Sequence, residues 1–456
     1  MHNPSLAQLF GLLALPPALA LPALAHADFI KDSSVNLTLR NIYFNRDFRQ
    51  DNAPQSKREE WAQGFMFSAK SGYTEGTVGV GLELYSALGL KLDSSDARAG
   101  TGLLPNRFGD SGPGSYSDLS GVAKMKIAKT ELKVGGFTPK IPVLLSSDAR
   151  LLPPIYNGAT LSSTEIDNLT LDLGRFDKVN FRNSSGNHDE ILAGNYGVSG
   201  DHFDYFGATY AFSPTVNVAY WRAELQDVYQ QNYLGFQGSR KAGDWVLSAN
   251  VGYFDSSENG AARGGDIDNG LTTAMLSANY GAQTFRVGYQ DNSGDSPFPY
   301  LQDADTYGAN VVQILDFTRA RETSWQLRHD LDFAAFGVPG LVMINRYIRG
   351  DGYEIGGQSG KEWERNLDIT YVVQSGPMKN FGVRWRNATV RSDGAGELDE
   401  NRLILSYTLP LKRVAGVRLP QEDARPVRRP SAAGDDIRSV EHPPRQPDFP
   451  GATPRW

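Results

Sequence analysis

The sequence predicts an all-β chain closed into a transmembrane antiparallel β-barrel, and three observations carry that expectation. Apolar residues recur at every second position along most of the chain, and helical spacing is hard to find. Short connections with turn chemistry alternate with long polar ones, the pattern of a barrel with short turns at one rim and long loops at the other. After the N-terminal region no stretch offers ~20 consecutive apolar residues, which excludes helical membrane spans. The 456 residues would otherwise suggest two or three soluble domains, but one large barrel uses the same length. The absence of Cys fits an exported protein that needs no disulfide, and fits many cytosolic ones as well.

Residues 1–27 hold no Lys, Arg, Asp or Glu, run through Leu9-Phe10-Gly11-Leu12-Leu13-Ala14-Leu15, and end Ala25-His26-Ala27. Small residues flanking a cleavage point after an apolar core predict a secretory signal peptide, with the mature protein beginning at Asp28. Pro16, Pro17 and Pro22 interrupt the segment and argue against a membrane anchor.

From Asp28 onward the period-two pattern repeats. Val35, Leu37 and Leu39 alternate with Asn36, Thr38 and Arg40; Trp61, Phe65 and Phe67 alternate with Gly64, Met66, Ser68 and Lys70. Val78, Val80, Leu82 and Leu84 are opposed by Gly79, Gly81, Glu83 and Tyr85, and the device returns at Leu169–Leu173, Trp245–Tyr253 and Phe285–Gln290. In Phe381-Gly382-Val383-Arg384-Trp385-Arg386, successive side chains of a strand point to opposite sides, so Phe381, Val383 and Trp385 share one face and Arg384 and Arg386 the other. The last run sets Leu403, Leu405, Tyr407, Leu409 and Leu411 against Arg402, Ser406 and Thr408. A soluble sheet turning its Arg face to water is the alternative for these two runs taken alone. If the strands span a bilayer, a lipid-facing Arg at the midplane costs about 2–4 kcal/mol. Arg384, Arg386 and Arg402 then face the lumen and their apolar neighbours face lipid. Parity also turns Arg286 and Arg328 inward, and Arg46 shares the parity of Arg40. Arg384 and Arg386 would stand about 6–7 Å apart, a separation at which two cations in water repel by only ~0.6 kcal/mol.

The short connections are Thr74-Glu75-Gly76, Ser213-Pro214, Tyr280-Gly281-Ala282, Gly337-Val338-Pro339-Gly340 and Ser375-Gly376-Pro377. Long polar stretches, read as outer loops, run over residues 91–120, 183–201, 255–270 and 291–323. At roughly 20 residues per strand with its connection, the length from Asp28 to Leu411 gives about 18 strands, and a barrel that wide holds an aqueous channel. Residues 412–456 break the pattern: eight Pro from Pro420 to Pro454 are interleaved with Arg, which predicts a disordered tail beyond a completed wall.

No catalytic constellation stands out. The six His are scattered, and His188 in Asn187-His188-Asp189-Glu190 lacks the spaced second His that a metal site needs. Nucleophile-elbow, Walker and dinucleotide motifs are absent. No catalytic residue, metal, cofactor or nucleic-acid partner is expected.

Several long motifs then occur in one order: Ser71-Gly72-Tyr73-Thr74-Glu75-Gly76-Thr77-Val78-Gly79-Val80-Gly81, Ser324-Trp325-Gln326-Leu327-Arg328-His329-Asp330, Gly337-Val338-Pro339-Gly340 and Asn345-Arg346-Tyr347-Ile348-Arg349-Gly350-Asp351. Gly360-Lys361-Glu362-Trp363, Val383-Arg384-Trp385-Arg386-Asn387 and Asp399-Glu400-Asn401-Arg402 follow. From Asp28 to Leu411 the chain resembles the OprD family of substrate-specific outer-membrane porins. The resemblance implies an 18-stranded monomeric barrel in a Gram-negative outer membrane, set among lipid and lipopolysaccharide and placed there by the barrel-assembly machinery. It also implies an inward-folded third loop that narrows the pore, and a row of basic lumen residues guiding small anionic, carboxylate-bearing solutes such as organic acids, amino acids or small peptides. Ser147-Asp148-Ala149-Arg150-Leu151-Leu152-Pro153 matches the constriction-loop region and places Asp148 and Arg150 in it. Arg384, Arg386 and Arg402 match the basic row, Arg40 sits in the corresponding first strand, and parity adds Arg286 and Arg328. Asp148, Asp172, Glu83 and Asp316 are the carboxylates that could oppose the row. Family members end at the closing strand, whereas here 45 residues follow Leu411. Two other functions remain to be told apart: a hydrolase built on the same barrel, which needs a nucleophile and base at its rim, and a soluble β-rich periplasmic binding protein, which needs no detergent.

Overall fold

A computed structural model describes residues 26–412 except Asn52 and Asn187. Most of the segment expected to be a signal peptide, residues 1–25, and the expected tail beyond 412 lie outside the described residues. The alternating runs become an 18-stranded antiparallel sheet. Strands adjacent in sequence pair with one another, and the first, Ser34–Phe48, pairs with the last, Gly396–Lys412, from Val35↔Lys412 to Phe48↔Leu398. That pairing closes the wall, so it leaves no strand edge to be satisfied in lipid. A short helix, His26–Lys31, precedes the first strand, and the carbonyl of Phe29 accepts from the Gly72 amide at 2.9 Å.

At the rim that carries both described ends of the chain the connections include the two-residue turns 128–129, 243–244 and 281–282. Ala128, Gly243 and Gly281 hold φ of 50°, 62° and 56° there, the left-handed conformation that tight hairpins demand. At the other rim 94–114, 138–154, 181–202, 259–267 and 294–322 are long, but 226–228, 356–357 and 393–395 are short, so the alternation is less regular than the sequence suggested. Strands also run further than the alternation: Val78–Asp93 enters a stretch expected to be loop. Beyond the bilayer both faces of the wall meet water, so hydrogen bonding continues where the apolar stripe stops.

Outward-facing Leu82, Leu234, Leu276 and Leu327 are each more than half exposed, the mark of a lipid face. Aromatic rings bound this band. Trp245 stands 4.8 Å from Tyr280 at the short-turn rim, and Trp325, Tyr347 and Trp363 follow one another at 5.7 and 5.9 Å toward the other.

The core lies inside the wall. Leu103, Leu104, Leu151 and Leu152 from two long loops pack, buried, on Ile42, Phe44 and Ala62 of the first two strands. Val312, Leu315 and Phe317 pack on Ile348, Val390 and Leu398. Residues 138–154 therefore fold inward as expected. Residues 294–322, read from the sequence as an outer loop, fold inward as well, because the apolar run Val311–Phe317 finds cover only against the inner wall. The two loops are stitched together by a small sheet of Lys140–Ile141, Leu144–Ser146 and Ala304–Asp305.

Candidate functional site

The inner wall carries a long row, polar except for Ala388, fixed by strand register. Arg286, Arg328, Arg346, Asn366, Ala388, Glu400, Arg46 and Arg58 are successive cross-strand partners. Strands in a closed barrel are tilted, so a row perpendicular to them climbs the wall. Arg286 lies near the 281–282 turn at one rim and Arg58 near the outer start of its strand, Lys57–Lys70. Like charges directly opposite destabilise a sheet. Asp330 relieves the first pair by accepting from Arg286 at 3.2 Å and from Arg328 at 2.6 and 2.8 Å.

The next row holds Asp368, Arg386, Arg402 and Phe44. Arg384 Nε donates to both oxygens of Asp368 at 2.9 and 3.0 Å, and its Nη2 also donates to Oδ2. Arg386 Nε lies 3.3 Å from Oδ2 but is too poorly aligned for a hydrogen bond. One buried carboxylate therefore stands against the guanidiniums of both Arg384 and Arg386. Among the described residues, Arg384 Nη1 and Arg386 Nε have no hydrogen-bond partner. Buried donors of this kind are costly to leave unmet.

The other residues of the expected basic row are engaged by the inward loops. Arg40 grips Asp148 with two bonds of 2.7 and 3.0 Å and donates to the carbonyls of Arg150 and Leu151 at 2.9 and 3.3 Å. Arg402, 1% exposed, bonds Glu400 at 2.6 Å and reaches the carbonyls of Ala149 and Gln313 at 3.3 Å each, one in each inward loop. Glu400 also accepts from Arg46 at 2.7 Å and from Gln313 at 2.9 Å. Arg150 donates to the carbonyl of Thr101 at 3.0 Å. The guanidiniums of Arg402, Arg150 and Arg46 crowd the Phe44 ring at 4.7, 5.4 and 5.5 Å.

Of the carboxylates singled out in the sequence, Asp148 meets the row through Arg40. Glu83 meets lysines instead, lying 3.5–3.6 Å from Lys70, Lys124 and Lys133. Asp172 makes no ion pair among the described residues. Sequence reasoning passed over Asp368, Glu400 and Arg346, although the parity of Asn345-Arg346-Tyr347 was available. It also passed over Glu364, whose oxygens accept from the amides of Ile314 and Leu315 at 3.2 and 2.7 Å and dock the second inward loop. At the root of that loop Glu322 lies beside the carboxylate of Glu362; burial, then that neighbour, push it up to about 9.

A family model described as outer membrane porin, OprD family, matches residues 27–411. The chain is 39% identical over 408 residues to the porin-like protein GalP of Pseudomonas putida, an alignment that covers 87% of this chain and 97% of GalP. It superposes with a TM-score of 0.83 on the crystal structure of OccK9 (OpdG) of Pseudomonas aeruginosa at 47% identity, covering 84% of this chain and all of that one. It superposes with a TM-score of 0.80 on OpdK of Pseudomonas aeruginosa with vanillate, at 38% identity and coverage of 84% and 100%.

Proposed function

The chain belongs to the OprD family of outer membrane porins, and from that premise we propose that it passes small carboxylate-bearing solutes, with Arg384 and Arg386 taking the carboxylate at the narrow part of the pore. It is a channel of the Gram-negative outer membrane and not an enzyme, which sets aside the hydrolase reading. The closed wall with its lipid-facing band sets aside the soluble binding protein. The reading further takes residues 1–27 as the exported leader, residues 28–411 as the porin, and the working unit as a monomer among lipid and lipopolysaccharide, delivered by the barrel-assembly machinery.

The observation that carries it is a pair of guanidiniums, Arg384 and Arg386, set against the single carboxylate of Asp368 in the row that runs on to Arg402 and the two inward loops. Each side chain keeps about a tenth of its surface accessible, where a visiting carboxylate meets positive charge that Asp368 alone does not balance. Low-dielectric walls focus the excess positive charge and raise the local concentration of anions. Asp368 already occupies part of both guanidiniums, which keeps the solute's contact weak enough to release; a dry bidentate pair would trap it. Arg40 and Arg402 serve the same path indirectly by fixing the loops that set its width. Vanillate, the molecule in the OpdK structure, is itself a small carboxylate. That likeness supports the solute class.

Arg384→Ala with Arg386→Ala tests the reading. Both changes leave Asp368 buried with its ion pairs broken, so Asp368→Asn accompanies them. In a planar bilayer and in liposome swelling, flux of a small monocarboxylate should fall several-fold and selectivity should shift toward cations, while a neutral solute of equal size should barely change. Equal loss for both solutes, or loss for neither, would make the two arginines wall structure.

A further inference from the structure

We propose a second anion site at the short-turn mouth of the pore, formed by Lys70 and Lys133 beside Glu83 and by Lys126 beside Tyr73, which takes the carboxylate of a solute as it leaves toward the periplasm. The proposal rests on the channel reading above, and concerns strands other than those of Arg384 and Arg386. The site grows from register. Lys70 ends its strand directly opposite Glu83. Lys124 and Lys133 face each other across the strands Ser115–Ile127 and Thr130–Phe137, and Lys126 faces Glu131. Glu83 lies 3.6 Å from Lys70 and 3.5 Å from both Lys124 and Lys133, and Glu131 lies 3.2 Å from Lys133.

Three ammonium groups, on Lys70, Lys124 and Lys133, thus share the carboxylate of Glu83, and Lys133 alone also pairs with Glu131. Lys124 is buried and committed, donating to the Ser71 carbonyl at 2.8 Å and lying 4.7 Å from the centre of the Tyr73 ring. Lys126 is exposed, 5.9 Å from the same ring, and has no carboxylate within ion-pairing distance among the described residues. Lys70 and Lys133 keep 60% and 28% of their side chains accessible. A wall needing only strength would not set Lys124 against Lys133, since like charges directly opposite cost stability. Lys70 and Lys126 are the most exposed of the set, and Asp172 is the next carboxylate along the row of Lys126, Glu131 and Ser162.

The neighbouring strand is shaped to hold Tyr73 and Lys124 in place. A Cβ at Gly81 would come within 2.5 Å of Lys124 Cε, and one at Gly79 within 3.0 Å of Tyr73 Cβ. Bare backbone at these two positions lets Tyr73 and Lys124 lie flat on the wall. The chemistry suits an exit: an ammonium is a hydrated point charge without the planar fork of guanidinium, so it holds a carboxylate loosely.

The test uses the full-length channel in planar bilayers with sodium benzoate added to one side at a time. For Lys70→Gln/Lys126→Gln/Lys133→Gln, half-block from the short-turn side should need several-fold more benzoate, and half-block from the loop side should not change. Unchanged block from the short-turn side would overturn the exit site while leaving Arg384 and Arg386 in place. Should Arg384→Ala/Arg386→Ala/Asp368→Asn leave block unchanged from both sides while the lysine variant shifts it, the arginine assignment falls and the exit site stands. If the triple variant lacks the gel shift between unboiled and boiled samples that marks a folded barrel, Lys126→Gln alone carries the test. Removing this exposed, unpaired charge should shift block from the short-turn side in the same direction by a smaller factor, and no shift overturns the proposal.

Discussion

Replacing Arg402 by Met should loosen the constriction without unfolding the barrel. Arg402 is fully buried, bonded to Glu400 at 2.6 Å and to the carbonyls of Ala149 and Gln313 at 3.3 Å. Removing one partner of a buried ion pair typically costs about 3–5 kcal/mol. Glu400 would keep Arg46 and Gln313, and Met fills part of the space over Phe44, so a loss near the lower end, about 3 kcal/mol, is expected. At 1.4 kcal/mol per factor of ten, the population of loosened loops rises roughly 100-fold. The wall itself rests on the closed ladder of 18 strands and should keep its resistance to detergent. Single-channel recording should show more open-channel noise and sub-states, and liposome swelling should admit neutral sugars too large for the parent channel. Unchanged noise and an unchanged size limit would refute the role of Arg402 as the clamp of both inward loops.

Asp148→Ala removes the grip of Arg40 on residues 138–154 and should raise noise in the same way, but by less, since the Arg150 and Leu151 carbonyls still accept from Arg40; equal quiet in parent and variant would contradict it. Arg286→Gln with Arg328→Gln should lower carboxylate flux less than twofold, on the order of 0.4 kcal/mol, because Asp330 already takes both guanidiniums; a fall as large as that of the Arg384 and Arg386 variant would place the main contact at the exit. Glu322 is pushed up to about 9 from an ordinary 4.5, so the folded loop binds its proton more tightly than the unfolded chain. Its contribution is fully present below 4.5 and is lost as pH rises toward about 9. Limited proteolysis of residues 294–322 should accelerate across that window, and Glu322→Gln should flatten the rise; an equally steep rise in the variant would assign it elsewhere. A chain ending at Lys412 should fold and conduct like the full chain, since the closing strand is paired up to Lys412↔Val35; loss of the heat-dependent gel shift on truncation would tie residues 413–456 to assembly.

The fold was legible because its signal is local. Lipid on one face and water on the other write a period of two into each strand, and Trp385 beside Arg384 and Arg386 shows both sides at once. Inward-facing arginines were legible for the same reason, and Arg346 could have been added by the same parity. What the pattern does not encode is which of them the loops engage. Arg40 meets Asp148 across 108 positions, and Arg402 meets Ala149 across 253 and Gln313 across 89. Such contacts depend on how the loops fall inside the barrel, and no spacing along one strand reports that. The inward course of residues 294–322 was hidden likewise, since Val311–Phe317 is too short and irregular to read as a strand and is held by Glu364 from a distant wall.

The most direct measurement is anomalous diffraction from crystals soaked in a bromobenzoate. The carboxylate should lie within hydrogen-bond reach of the Arg384 and Arg386 guanidiniums, and the bromine peak beside them should vanish in the Arg384→Ala/Arg386→Ala/Asp368→Asn channel. A carboxylate ordered only elsewhere in the pore, or the same peak in the variant, would contradict the account.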